Sequence, residues 1–132
     1  MQITPPHGFD AAMGFRFVEG GPDRVVLTWD VTEVNQQPYG IVHGGTYCGA
    51  VESAASWGAA LWLGERGKVV GVSNQTDFLR AASEGHMTAT ATPIHRGRSQ
   101  QLWLVEVVDE QQRLVARGQV RLQNLTDVGA AQ

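Results

Sequence analysis

The sequence predicts an α+β fold in which a curved antiparallel sheet wraps around one long central helix. Three observations carry that expectation. Only one long helical pattern is present, Gly44 to Leu63. It is small on most sides, with Gly49, Ala50, Ser53, Ala54, Ala55, Gly58, Ala59 and Ala60, so other backbone must approach it closely on several faces. Alternating and β-branched strand patterns lie on both sides of it in the chain.

Taken in order, Met1 to Asp10 carry two prolines and no periodicity, and Phe9 to Met13 suit one short helical turn. Gly14 to Glu19 alternates as a short strand, Gly20-Gly21-Pro22-Asp23 is a turn, and Arg24 to Val31 completes a hairpin. Thr32 to Tyr39 reads as a polar loop closed by Pro38. The helix then runs from Gly44 or Gly45 to about Leu63, where the glycines of Gly64-Glu65-Arg66-Gly67 supply a left-handed cap. Its two internal glycines each cost roughly 0.5 to 1 kcal/mol against alanine, which tight packing would explain. Strand patterns follow at Lys68 to Leu79, Gly85 to His95, Gln100 to Val108 and Arg113 to Leu125, with a turn at Asp109 to Gln112 and a frayed tail from Thr126 to Gln132. A single domain over 1–132, with its core at about 14–125, is expected.

Composition excludes several functions. With 42% hydrophobic and 17% charged residues the chain is globular, and a net charge of -3 gives no broad attraction to nucleic acid or to an anionic membrane. The single Cys48 has no internal disulfide partner, and the N-terminus lacks a basic start and an apolar signal core, so a cytoplasmic location is expected. Gly44 to Leu63 nearly has the length of a membrane span. Its Gly, Ala and Ser content, with Glu52 near its centre, argues for a buried helix instead.

Chemistry is sought first around that helix. Gly44-Gly45 places unobstructed amides at a helix N-terminus, where they suit an oxyanion or simply make a tight turn. Glu52 is the only charge in mid-helix, among small and apolar neighbours. It is read either as a working carboxylate or as a buried acid satisfied by a local partner. Ser56, one turn on, shares its face and can orient the carboxylate, a water or a substrate. Eight residues separate Gly44 from Glu52, about 12 Å along the axis. One thioester or ester carbon does not easily reach both, which points to a homodimer whose two sites each draw Gly44 from one chain and Glu52 from the other.

Gln37 holds a carbonyl oxygen or caps its loop, and His43 positions a leaving group or hydrogen-bonds a loop carbonyl. Cys48 reads as a small buried residue. His7, His43, His86 and His95 show no metal-ligand spacing with one another or with Cys48, and no metal or cofactor is expected. His95-Arg96-Gly97-Arg98-Ser99 suits a phosphate or a solvated hairpin turn, and Arg80 can extend the same basic rim. Neither a Walker glycine loop nor a dinucleotide fingerprint is present.

The segments Q-P-Y-G-I-V-H-G-G, then Glu52 and Ser56, then N-Q-T-D-F-L-R-A and H-R-G-R-S-Q-Q-L-W-L-V-E-V together resemble the hotdog-fold acyl-CoA thioesterases of the 4-hydroxybenzoyl-CoA and phenylacetate-degradation type. The resemblance runs from about Gly14 to Leu125. It implies the hotdog fold, pairing of the post-helix strand with its mate across a dimer, and association of dimers into tetramers. It further implies that Glu52 attacks the thioester carbonyl or activates water while the Gly44 amide polarises that carbonyl. Gln37 and His43 would help hold the thioester, and Ser56 would orient the water or carboxylate. The nucleotide end of coenzyme A would lie near Arg96, Gly97, Arg98, Ser99 and Arg80. Where the family often has A-N-H-L, this chain has Thr76-Asp77-Phe78-Leu79, so Asp77 becomes a candidate contact for the acyl group or the partner chain.

The leading expectation is hydrolysis of an aromatic or medium-chain acyl-CoA. A hotdog hydratase or dehydratase would want a His–acid pair, which no spacing here supplies. A non-catalytic acyl-CoA binding module gains little from a carboxylate beside a thioester.

Overall fold

The computed structural model describes residues 5–126. The expected frayed tail therefore lies, beyond Thr126, outside the described residues, and Thr126 itself ends a strand. The elements are α1 (Gly8–Met13), β1 (Arg16–Gly20), β2 (Val25–Asp30), a 3-10 turn (Glu33–Asn35), α2 (Gly44–Leu63), β3 (Gly67–Phe78), β4 (His86–Arg96), β5 (Gln100–Val108) and β6 (Leu114–Thr126). The six strands form one sheet in the order β1-β2-β4-β5-β6-β3, with every pair antiparallel. β1 and β3 are its edges.

The sheet curls around α2, which packs against β2, β3, β4, β5 and β6. The small residues of α2 make this possible. Ala50, Ala54, Ala55 and Ala59 are fully buried, and a Cβ on Gly58 would lie 2.5 Å from the Trp103 ring, a separation no real contact tolerates. Inward positions on the strands alternate as a half-buried sheet requires: Met87, Ala89 and Ala91 on β4, and Trp103, Val105 and Val107 on β5. Four register shifts bend the sheet, skipping Val18 in β1, Val72 in β3, Ile94 in β4 and Val115 in β6.

The C-terminus of α2 differs from the expected left-handed cap. Gly64 has φ 60 but ψ -134, outside that region, and a second 3-10 turn (Gly64–Arg66) follows. Arg66 covers the last carbonyls itself, donating to Leu63 O at 2.9 Å and Trp62 O at 2.7 Å.

The approach to α2 is held by Asn35, which is fully buried. Its Oδ1 accepts from the Thr32 amide at 2.9 Å and its Nδ2 donates to Met13 O at 3.1 Å, while its own carbonyl accepts from the His43 amide at 2.7 Å. The Asn35 side chain thus joins α1 to the 3-10 turn, and its backbone carbonyl holds the start of α2. Asn35→Ala would leave two buried backbone groups without partners, and a loss of about 2 kcal/mol is expected. Chemical denaturation should show it as a lower midpoint at unchanged slope.

Candidate active site

The loop before α2 is closed by its own backbone. Gln37 N–H donates to Ile41 O at 2.9 Å, Gly40 N–H donates to Gln37 O at 2.9 Å, and Gly40 takes φ 81, where glycine is favoured. Gln37 Oε1 accepts from the Tyr39 amide, so it caps the loop. His43 is the N-cap of α2, and its Nδ1 accepts from the Gly45 amide at 2.7 Å. Nδ1 thus bonds an amide rather than a loop carbonyl, and, against the expectation of two open amides, the Gly45 N–H is not available to a ligand. The Gly44 amide, first in the helix, has no acceptor among the described residues.

Gly44 opens on a cavity of about 330 Å³ lined by Gln37, Tyr47, Phe78, Leu79 and Arg80 among others. A Cβ at Gly44 would lie 2.6 Å from the Phe78 ring, so that residue must be glycine for the ring to close the cavity wall. Tyr47 is buried and its hydroxyl has no partner among the described residues. Burial, reinforced by the Asp109 charge, pushes its pKa up to about 12, and it stays a neutral phenol at working pH. Because the hydroxyl makes no bond to the described residues, Tyr47→Phe should be neutral or stabilising by up to about 1 kcal/mol in thermal unfolding.

Glu52 lines a different cavity, of about 440 Å³, with Phe9, Cys48, Gly49, Ser53 and Asn74. In the single chain it is exposed, not buried as its neighbours in sequence suggest. Its helix neighbours Val51, Ala54 and Ala55 are fully buried, whereas the Glu52 carboxylate lies over the edge strand β3, 3.3 Å from where a Cβ on Gly71 would stand. Asn74 is fixed beside it. Its Oδ1 accepts from the Thr76 hydroxyl at 2.7 Å, which turns Nδ2 toward the helix, 3.0 Å from Cys48 O and 3.5 Å from Glu52 Oε1. Ser53 donates to Asp10 Oδ1 at 2.6 Å, tying α1 across α2. Ser56 is not part of this cavity wall and makes no side-chain hydrogen bond among the described residues.

The remaining candidates fall elsewhere. Arg96 donates to Pro22 O at 2.7 Å and Asp23 Oδ1 at 2.9 Å, with its guanidinium 5.5 Å from the Trp62 ring centroid, so it braces the β1–β2 turn. Gly97 N–H donates to Gln100 O at 2.8 Å, and Asn124 Nδ2 donates to Gly97 O and Arg98 O at 3.0 and 3.1 Å. Arg98 and Ser99 are exposed. This turn sits at the C-terminal end of α2 and Arg80 at its N-terminal end, about 30 Å away along a 20-residue helix. One chain does not make a single basic rim of them. Asp77 lines neither cavity; it stands opposite Arg117 in the β3–β6 register, while its neighbour Phe78 lines the Gly44 cavity.

Phe9, Ser53, Asn74 and Phe78 belong to these cavities without having been singled out as candidates. Asn74 carried no distinguishing signal, since it stands within the polar run Ser73-Asn74-Gln75-Thr76-Asp77 of β3. Among the described residues no three His, Cys, Asp or Glu side chains gather to hold a metal, and no helix is long and apolar enough to cross a membrane.

The Thioesterase superfamily profile matches residues 39–116. The chain belongs to this hotdog-fold thioesterase family. A Mycobacterium tuberculosis protein assigned provisionally as an esterase is 52% identical over 128 residues, covering 95% of this chain and 90% of that one. Its solved structure superposes with a TM-score of 0.88 at 53% identity, over 89% of this chain and 96% of that one. The 1,4-dihydroxy-2-naphthoyl-CoA hydrolase of Escherichia coli is 33% identical over 102 residues, covering 77% of this chain and 75% of that one. A Haemophilus influenzae thioesterase structure superposes with a TM-score of 0.85 at 30% identity, over 89% and 82% of the two chains. The chain is thus a thioesterase by family, and the family match spans Gly44, Glu52, Asn74 and the 96–99 turn while leaving Phe9 and Gln37 outside it.

Proposed function

We propose that this thioesterase hydrolyses an acyl-CoA, aromatic or medium-chain in its acyl group, at sites shared between two copies of the chain. The observation that carries the reading is the separation of an uncommitted Gly44 amide and an open Glu52 carboxylate into two cavities on one helix. Each cavity is half of what thioester hydrolysis needs, and a two-fold axis that faces the two helices antiparallel supplies the other half. β3 suits that axis. It is a 12-residue edge strand carrying exposed Val70 and Val72, and pairing with its mate would satisfy its open backbone groups. A homotetramer would follow from association of two such dimers.

In the shared site the Gly44 amide, backed by the helix dipole, donates to the thioester oxygen as it becomes an oxyanion. Gln37 Oε1 is taken by the Tyr39 amide, leaving Nε2 to donate to the same oxygen. The Glu52 carboxylate provides the nucleophile, taking a proton from water or attacking the carbonyl carbon itself. Collapse of the tetrahedral intermediate breaks the carbon–sulfur bond; the thiolate leaves and is protonated, and water ends in the free acid. Arg80, beside the Gly44 cavity, and Arg98 with Ser99 are the exposed groups proposed to meet the coenzyme A phosphates. The names of the 1,4-dihydroxy-2-naphthoyl-CoA hydrolases support an aromatic acyl group.

Thiol release from a panel of aryl- and alkanoyl-CoA thioesters tests the proposal. Turnover is expected for at least one aryl-CoA. Hydration of an enoyl-CoA with no thiol release would favour a hydratase, and saturable binding without either product would favour a binding module.

A further inference from the structure

We infer that Phe9 is a specificity-determining residue: its ring forms the wall on which the acyl group packs, and it selects planar aromatic acyl groups over long flexible ones. This rests on the acyl-thioesterase reading above and names the part of the chain that chooses the substrate. Phe9 is 52% exposed, yet its position is closely defined. Its ring lies against the helix backbone at Gly49, where a Cβ would be 2.3 Å from it, and meets the Phe15 ring edge-on at 6.0 Å. The neighbouring Asp10 accepts from Ser53, one residue along α2 from Glu52. An aromatic ring fixed this way and left half uncovered beside the carboxylate presents an apolar face to whatever enters.

The ring also separates two spaces. On one side is the Glu52 cavity, and on the other a groove of about 240 Å³ lined by Met13, Val34, His43, Gly45 and Thr46. Phe9 belongs to both walls. Removing its side chain would join them into one longer channel. Charge indicates which end of the substrate lies here: the Glu52 cavity has no cation in its wall, while Arg80 stands at the Gly44 cavity. The phosphates are therefore disfavoured beside Glu52 and Asp10, and the neutral acyl group takes the Phe9 side, where an aryl ring stacks offset or edge-on.

The test compares kcat/KM of wild type, Phe9→Ala and Gly49→Ala on benzoyl-CoA, naphthoyl-CoA and dodecanoyl-CoA, with circular dichroism as the folding control. For Phe9→Ala the aryl substrates should lose about tenfold, mainly through KM, and dodecanoyl-CoA should gain, so the aryl-to-alkanoyl ratio falls by more than tenfold. Gly49→Ala leaves Phe9 in the chain but displaces its ring, and should move the ratio the same way. Turnover by the wild type with a ratio unchanged in both variants overturns this inference alone. Absence of any acyl-CoA turnover by the wild type removes the functional reading and this inference with it.

Discussion

Glu52→Gln is expected to lower kcat for acyl-CoA hydrolysis by about 10²–10⁴-fold, whether the carboxylate acts on water or on the carbonyl carbon. The substitution keeps the shape and removes only the charge and basicity. Structure should be indifferent to it. Glu52 is exposed in the single chain, and its one side-chain hydrogen-bond partner among the described residues, Asn74 at 3.5 Å, is held independently by Thr76 and by Cys48 O. Thermal unfolding should therefore coincide with wild type while steady-state kinetics collapse. Retention of wild-type kcat on the best substrate would remove Glu52 from the chemistry.

Gly44→Pro should be nearly as damaging. Proline removes the amide hydrogen yet is well tolerated as the first residue of a helix, and His43 already has the extended conformation required before proline, φ -66 and ψ 135. The new Cβ would strike Phe78, so both Gly44→Pro and its control Gly44→Ala belong in a Phe78→Ala background, where they differ in the N–H and the proline ring that replaces it. Loss of one oxyanion donor predicts about 10²–10³-fold in kcat between them. Co-expression of Glu52→Gln subunits with Gly44→Pro subunits then separates shared from self-contained sites. Random pairing makes half the dimers mixed, each with one intact site, so about one quarter of wild-type activity should return. No recovery would place each site within one chain.

The fold was legible because its determinants are local. Glycines and prolines bound the elements, and the alanines and glycines of α2 require a sheet at close range, which the Gly58–Trp103 contact demonstrates. The candidate site was legible only where a residue's role follows from its place on the backbone, as with Gly44 at the start of α2. Side-chain partners chosen across the fold left no trace in the chain. Arg96 reaches Asp23, 73 residues away, and so differs from Arg98 despite standing two positions from it. Burial of Glu52 was one of the two readings its neighbours allowed, but helical burial depends on azimuth, and its carboxylate is directed over the edge strand β3, beside Gly71 and Asn74. Phe9 was hidden for a similar reason: a short helix outside the periodic part of the sequence gains its place through Ser53 and Gly49.

The hydrogen bond from the Gly45 amide to His43 Nδ1 also fixes what that ring can offer. A backbone N–H only donates, so Nδ1 holds its lone pair there, and the neutral ring carries its proton on Nε2. The outward edge of His43 is then a donor. It can hold a carbonyl or steady a departing sulfur, but it has no free lone pair with which to take a proton from carbon. The histidine nearest the helix N-terminus is thereby withdrawn from the role of base that a dehydratase would ask of it, and proton abstraction is left to the carboxylate.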